Sequence, residues 1–579
     1  MNDIDLLLLH PPSVYDFRDK SILYGPISDL IPSSTVFEMY PLGFLTMSSY
    51  LQDRDWRVRI VNLALRMLND RRFDVPTFLA KRCPEAVGID LHWLPHAHGA
   101  LEIARLVKSI HPDVPVIMGG LSASYFHREL ITYPQVDYVL RGDSVEPALE
   151  QLLLTLRHDR SRHEVPNLTW KTAAEVVTNP LGYMPASLDM ADIRPDRMVE
   201  MVLRYRDLHG VLPFNGWWQH PITAVFTVKG CAHECVTCGS SNTSCSHVTS
   251  RPRPVYRSPA NLVQNMADIS GLSRGPIFLV GDLNQAGADH ADEVLDRLRA
   301  LDLPNEVIFE FFTMPSREHL ERIDRSVRHW SIELSPESHD PEIRRIQDET
   351  TFFTNDEMER TIEDALSLRC SRVDVFFMIG LPRQTPESVG ATVGYCEKLF
   401  RTHDERLSCF ISPLGPFLDP GSRGFEAPEA FGYRLFARTL EEHRQRLVKL
   451  TWEQILNYET EWMTRAQLVE ATYDAAERLN ALKLAHGRIS QHQGETVARH
   501  IREARDLRAR LAHVNEDPHS TESLDALKGE ISRYSISTVC DKRELFWRRH
   551  LVNFHLAEVV RIAGRFVRKR LREALAMHE

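Results

Sequence analysis

Short apolar runs recur along the first part of the chain at intervals that fit alternating strands and helices. Leu6 to Leu9, Val58 to Val61, Ala86 to Asp90, Val114 to Met118 and Asp137 to Leu140 are mostly apolar, and turn residues close several of them. Between them, Leu42 to Leu51 can form a helix, and Ala100 to Ile110 carries Leu101, Ala104, Leu106 and Val107. A further helix follows with Leu149, Leu152 and Leu153. This alternation predicts a doubly wound parallel sheet over residues 1–160. Ligands of such sheets sit beyond the carboxyl ends of the strands. Here those ends carry Pro11-Pro12, His92, Gly119-Gly120 and Gly142.

Residues 161–220 read as a connector, with a hairpin at Asn167–Trp170 and Val176–Val177 and prolines at 180, 185 and 195. A second alternation spans 221–425. Its strands are expected at Ala224–Val228, Ile277–Val280, Val307–Phe312, Trp330–Leu334, Val373–Ile379 and Ser408–Ile411. Six strands in series with crossovers predict a partial (β/α)6 barrel, whose chemistry gathers at the carboxyl ends of the strands. From 426 to 579 the periodicity is almost wholly helical. The clearest segments are Phe431–Leu447, Arg465–Leu484, Thr496–Leu511 and Glu544–Ala576.

Composition narrows the function classes. The 579 residues are 43% hydrophobic and 26% charged, which fits several folded domains rather than a disordered chain. A net charge of −11 argues against a general nucleic-acid binder. The acidic start before Leu6 does not resemble a signal peptide, and no run approaches the length that spans a bilayer. The expected location is the cytoplasm. The nine cysteines do not suggest a disulfide framework, since three of them, Cys231, Cys235 and Cys238, fall within eight residues. In a reducing compartment such a cluster points to metal or redox chemistry.

Cys231-Ala-His-Glu-Cys235-Val-Thr-Cys238 directly follows the first strand of the second region. Three thiolates at these spacings can each reach one iron of a [4Fe-4S] cubane, leaving the fourth iron open to an amine and carboxylate. The competing assignment is a structural zinc site completed by Cys245 or His233, although no second C-x-x-C pair is present. Cys83, Cys370, Cys396, Cys409 and Cys540 stand alone and read as small buried hydrophobes.

The C-x3-C-x2-C motif after a first barrel strand resembles the hallmark of the radical S-adenosylmethionine (SAM) superfamily, with Thr237 where members usually carry an aromatic. Val280-Gly281-Asp282 resembles the segment that holds the SAM ammonium group, with Asp in place of Glu. Glu333-Leu-Ser335-Pro-Glu337-Ser resembles the segment near the SAM ribose and carboxylate, and Gly380-Leu-Pro the turn beside adenine. The resemblance thus implies Gly281, Asp282, Ser335, Glu337 and Gly380 as SAM contacts.

The N-terminal region resembles the Rossmann-like cobalamin-binding domain of the B12-dependent members. The matching features are Pro11-Pro12, Tyr40-Pro-Leu-Gly43, Gly119-Gly120 and Arg141-Gly-Asp143. This resemblance implies cobalamin contacts at Pro12, Gly119, Gly120, Ser122, Gly142 and Asp143, since glycine lets backbone approach a bulky ligand. The position of the Asp-x-His-x-x-Gly motif holds His10-Pro-Pro-Ser instead. Asp90-Leu-His92 follows the wrong strand, so His92 reads as a loop residue and the implied cobalamin is base-off with no histidine on cobalt. A domain that keeps the fold as scaffold without the cofactor is the alternative.

The loop Ser412 to Ser422 ends the last barrel strand, and its prolines make it stiff. Asp419 and Ser422 are candidate substrate contacts, or the loop is a rigid linker. Trp452, Tyr458, Trp462 and Tyr473 read as core. The basic, amphipathic terminal helix either packs its apolar side on the protein or rests on an anionic membrane surface. The resemblance implies an enzyme that cleaves SAM reductively and methylates an unactivated carbon of a small-molecule or lipid substrate. It would draw electrons from a flavodoxin or ferredoxin. A cyclase or oxidase without methyl transfer and a non-catalytic cobalamin or redox sensor are the alternatives. A tRNA methylthiotransferase is disfavoured, because its tail domain should be β-rich.

Overall fold

The computed structural model describes residues 4–20, 36–516, 527, 539–547, 550 and 552–576. Strands β1 (Leu6–His10), β2 (Val58–Asn62), β3 (Ala86–Asp90), β4 (Val116–Gly119) and β5 (Tyr138–Leu140) form a parallel sheet ordered β2-β1-β3-β4-β5. Leu6 to Leu9 are at most 3% exposed, because helices cover both faces of the sheet. β6 (Leu168–Lys171) and β7 (Val176–Thr178) are the expected hairpin. They do not belong to a free connector, since β6 pairs antiparallel with β5 and extends the sheet to seven strands.

The second sheet is wholly parallel and runs in chain order. It contains β8 (Thr223–Phe226), then, after a small pair β9 (Val228–Lys229) and β10 (Val255–Tyr256), β11 (Ile277–Val280), β12 (Glu306–Phe311), β13 (His329–Glu337), β14 (Cys370–Ile379) and β15 (Leu407–Pro413). This is the expected six-stranded partial barrel. Its crossover helices begin at side-chain caps such as Ser258, Ser316, Thr354 and Thr385, which accept the first free amides.

The C-terminal region is not all-helical. Phe431 to Leu447 is broken by β16 (Tyr433–Leu435), which pairs antiparallel with β17 (Tyr458–Thr460) and leaves only Leu440–Arg446 as helix. Tyr433 and Leu435 flank Arg434, and Tyr458 and Thr460 flank Glu459, so a two-residue alternation won locally over helical spacing. Of the aromatics read as core, Trp452, Tyr458 and Tyr473 are buried, whereas Trp462 is only half-buried. Cys370, Cys396, Cys409 and Cys540 are buried as well, whereas Cys83 is exposed.

The expected helix Glu544–Ala576 begins only at Leu556; residues 548, 549 and 551 of it lie outside the described residues. The segment before it fills the open barrel. Trp547 packs on Phe278 and Ile308, while Leu545 and Cys540 pack on Phe376 and Phe410. Arg372 of β14 donates to the carbonyls of Glu544 and Phe546, and Lys483 forms a buried ion pair with Glu544 at 2.6 Å. The apolar residues at the start of this segment, which resemble a helical stripe, are therefore part of the interior of the barrel. Among the described residues no helix is long and apolar enough to cross a membrane.

Candidate functional site

The carboxyl edge of the first sheet faces the mouth of the barrel, and a cavity of about 840 Å³ lies between them. Its wall reaches from Asp90, His92, Gly119, Gly120, Gly142 and Asp143 on one side to Cys231, Cys238, Gly281, Glu310 and Phe312 on the other. The remaining lining is mostly apolar. It comes from Tyr40 to Leu45, from Met198 to Leu203 on the helix Pro195–Tyr205, from Trp217 and Trp218, and from Leu556 and Val559.

The two domains are joined beside the cysteines. Arg251 is 1% exposed and bonds both oxygens of Asp143, at 2.5 and 2.7 Å, while Lys229 donates to the Asp143 carbonyl. The guanidinium holds the Asp143 carboxyl below the usual carboxylate range against the opposing effect of burial. Gly230 has φ +80°, and a Cβ there would lie 2.6 Å from Arg251 Cδ, so glycine is what lets Arg251 pass beneath the cysteine loop.

The loop itself is fixed from several sides. Asp348 accepts from Glu234 N at 2.7 Å, the Gln347 carbonyl accepts from Val236 N, and Asp419 accepts from Gly239 N at 2.9 Å. Cys238 Sγ accepts from Ser240 N. Burial pushes the Cys231, Cys235 and Cys238 thiols up. For Cys235 the neighbouring Glu337, Cys238, Asp348 and Cys231 add to the rise. Three thiolates crowded beside carboxylates are unfavourable alone and become favourable around a cationic iron core. Among the described residues no three His, Cys, Asp or Glu side chains converge on one ion-sized point, as a zinc site would need. Cys245 points its thiol at the Ser240 carbonyl and His233 lies against Thr350, so neither is poised as a fourth ligand. The donor set fits a cubane, which takes its thiolates one per iron.

The other expected SAM residues are divided. Gly281, φ +93°, lines the cavity. Asp282 does not: its oxygens are taken by Asn284 N at 2.8 Å and Phe312 N at 3.2 Å, and burial pushes its carboxyl up to about 6. The carboxylate that lines the cavity is Glu310, whose Oε2 accepts from Gly281 N at 2.9 Å; burial pushes it up to about 7. The sequence did carry a signal for it, a charged residue inside the apolar run Val307–Phe312. Ser335 and Glu337 lie on β13 outside the cavity wall. Glu337 has φ +61°, faces Cys235 and Cys238 electrostatically, and is raised to about 7 by burial. Gly380, φ +106°, sits under Tyr433, which donates to its carbonyl at 2.8 Å, and under Tyr458, whose Oη would lie 2.8 Å from a Cβ.

Of the expected cobalamin residues, Gly119, Gly120, Gly142 and Asp143 line the cavity. Pro12 and Ser122 do not: Pro12 packs on Gly99, and Ser122 Oγ donates to the His92 carbonyl at 3.1 Å. His92 does line it, neutral because burial lowers its pKa to about 4. Asp90, held through its other oxygen by His10 at 2.9 Å, and Glu146 each keep one buried oxygen without a partner among the described residues, and Gln285 keeps its Nε2. Such unpaired atoms beside a side-chain-free glycine rim fit a large ligand with polar substituents. Asp419 and Ser422 lie outside the wall; Asp419 is bound to the cysteine loop, and Ser422 caps the short helix Arg423–Glu426.

Residues 30–152 match the family model of the B12 binding domain. The chain is 17% identical to the structure of the radical S-adenosylmethionine methyltransferase TsrM from Kitasatospora setae, solved with cobalamin and a [4Fe-4S] cluster. That likeness covers 92% of this chain and 99% of TsrM with a TM-score of 0.58. The chain has the fold of a cobalamin-dependent radical SAM protein, with a B12 binding domain at its head. Among curated relatives, hopanoid C-3 methylase of Methylococcus capsulatus is 25% identical over 270 residues, 46% of this chain and 47% of the methylase. Anaerobic magnesium-protoporphyrin IX monomethyl ester cyclase of Synechocystis is 22% identical over 236 residues, 40% of this chain and 42% of the cyclase. The chain thus spans less than half the length of these relatives.

Proposed function

We propose that this protein is a cytoplasmic, cobalamin-dependent radical SAM methyltransferase acting on an unactivated carbon of an apolar, lipid-like molecule. The observation that carries this reading is one shared cavity, walled at one end by the glycine rim of the B12 binding domain and at the other by Cys231, Cys238 and Gly281. When bound, the cluster supplies the electron that cleaves SAM to a radical, and cobalamin supplies the methyl carrier.

The chain's own residues set the conditions for that chemistry. Cys231, Cys235 and Cys238 would hold the cluster, and Asp348, Gln347 and Asp419 fix the loop that carries them. Gly281 and Glu310 would form the SAM ammonium subsite in this reading, with Glu337 beside Cys235 and Cys238. The apolar wall from Met198 to Leu203 and at Trp217, Trp218 and Phe554 excludes water, which protects a radical from quenching. A low-potential flavodoxin or ferredoxin fits as electron donor. The cyclase relative favours a second reading, radical chemistry on the same substrate class without methyl transfer.

Product analysis decides between them, after anaerobic reconstitution with iron, sulfide, hydroxocobalamin, SAM and reductant. Formation of both 5′-deoxyadenosine and S-adenosylhomocysteine, lost in Cys235→Ala, supports the methyltransferase. Deoxyadenosine alone selects the second reading. Neither product, from protein with a verified cluster and candidate lipids present, sinks both.

A further inference from the structure

The terminal helix Leu556–Ala576 presents three faces. Its inner face, with Val559, Ile562, Ala563 and Phe566, turns toward the protein; the helix packs on Pro195–Tyr205, and Arg204 lies over the Phe566 ring at 5.8 Å. A second face carries Leu556, Val560, Val567, Leu571 and Leu575, at spacings of four, seven, four and four, which align on one side of a helix. All five are exposed, from 54% to 70%. Beside them run Arg561, Arg565, Arg568 and Arg572 at spacings of four, three and four, each exposed. The helix holds six basic residues against two acidic ones, on a chain whose net charge is −11. Leu556 is also part of the cavity wall, as are Leu203, Leu208 and Trp218, each more than a third exposed. The apolar stripe is therefore continuous with a mouth of the cavity, where Trp218 stacks on Phe554 at 4.7 Å.

We propose that this face docks on an anionic lipid bilayer, with the helix lying in the interface plane and the cavity mouth opening onto the acyl layer. The stripe enters the acyl boundary and the arginine row meets the headgroup phosphates. The inference rests on the reading of the cavity as the site of an apolar substrate and names where that substrate is collected.

Co-sedimentation of the reconstituted full-length protein with vesicles tests it. One set is phosphatidylcholine alone, the other equal parts phosphatidylcholine and phosphatidylglycerol. The wild type is expected to bind the mixed vesicles on the order of a hundredfold more tightly, less so as salt rises. Arg565→Glu with Arg568→Glu removes that preference. Val560→Glu with Leu571→Glu abolishes binding while leaving the melting temperature unchanged, because both side chains already face solvent. Equal binding to both vesicle types, or wild-type binding by Val560→Glu with Leu571→Glu, overturns the proposal. So does a wild-type dimer that becomes a monomer in that variant with no vesicle binding by either, which assigns the stripe to a second copy. Deoxyadenosine formation is followed in parallel. Its presence in a protein that ignores vesicles sinks only the docking, and its absence in a vesicle-bound protein sinks only the proposed reaction.

Discussion

Arg251 of the barrel clasps Asp143 of the B12 binding domain through both carboxylate oxygens, immediately beneath the loop that carries the three cysteines. The two domains are thereby locked where both of them wall the one cavity. Removing one partner of a buried pair leaves the other charge without compensation. Arg251→Met is expected to cost about 3 kcal/mol and to weaken cobalamin binding. Arg251→Met with Asp143→Asn recovers part of that loss. Thermal melts and hydroxocobalamin titration of the three proteins check it.

Cys245 lies on the helix Asn242–Thr249 that follows the cysteine loop, and it bonds the Ser240 carbonyl. Cys245→Ser should keep the full iron and sulfide content after reconstitution, whereas serine at 231, 235 or 238 lowers it. Iron loss in Cys245→Ser equal to that in Cys238→Ser would return the fourth-ligand reading to contention.

Glu310 is raised to about 7 by burial, with Asp282 adding to the effect. It is neutral below that value and gains its charge as pH rises through it. SAM binding to the SAM-free protein should therefore strengthen between about pH 6 and pH 8 by up to tenfold. In Glu310→Gln the affinity should be lower at pH 8 and nearly flat. Calorimetric titration across the range reads both.

His443 is buried with Nδ1 on the Thr439 carbonyl at 2.7 Å and Nε2 on Asn457 Nδ2 at 2.9 Å, and burial lowers its pKa to about 4. The unfolded imidazole titrates near 6.5. The folded state thus binds fewer protons between these values, so the stability this residue contributes is complete above about pH 6.5 and lost as pH falls toward 4. At pH 5 the loss is about 2 kcal/mol. Hydrogen-exchange protection of Leu440–Arg446 should fall accordingly between pH 7 and pH 5, and His443→Gln should remove that dependence.

How far the sequence could be read depends on whether each signal was local. Strands fully buried between helices announce themselves as short apolar runs, so both sheets were legible, as was a cysteine loop that follows a strand. The failures arise where a residue's role is set by something distant in sequence. Asp282 sits where a ligand carboxylate is expected, yet the amides of Asn284 and Phe312 claim it, and Glu310 on the next strand takes its place at the cavity. Asp143 lines the cavity as expected but is also clasped by Arg251, 108 residues away, and Asp419, expected at the substrate, is held by the amide of Gly239, 180 residues away. Leu545 and Trp547 mimic a helical stripe because spacing alone does not distinguish a helix face from a barrel filling.

That filling has a consequence for how the protein is made. Asn553 donates to the Gln219 carbonyl, 334 residues earlier in the chain, and Trp547 completes a cluster founded on β11 and β12. During synthesis the barrel strands leave the ribosome long before the segment that closes their interior, so a nascent barrel exposes Phe278, Ile308, Phe376 and Phe410 until residues 540–547 emerge. Contacts of such sequence separation form slowly. The barrel's interior, unlike its helix-covered outer faces, is thereby closed only after residues 540–547 have been made.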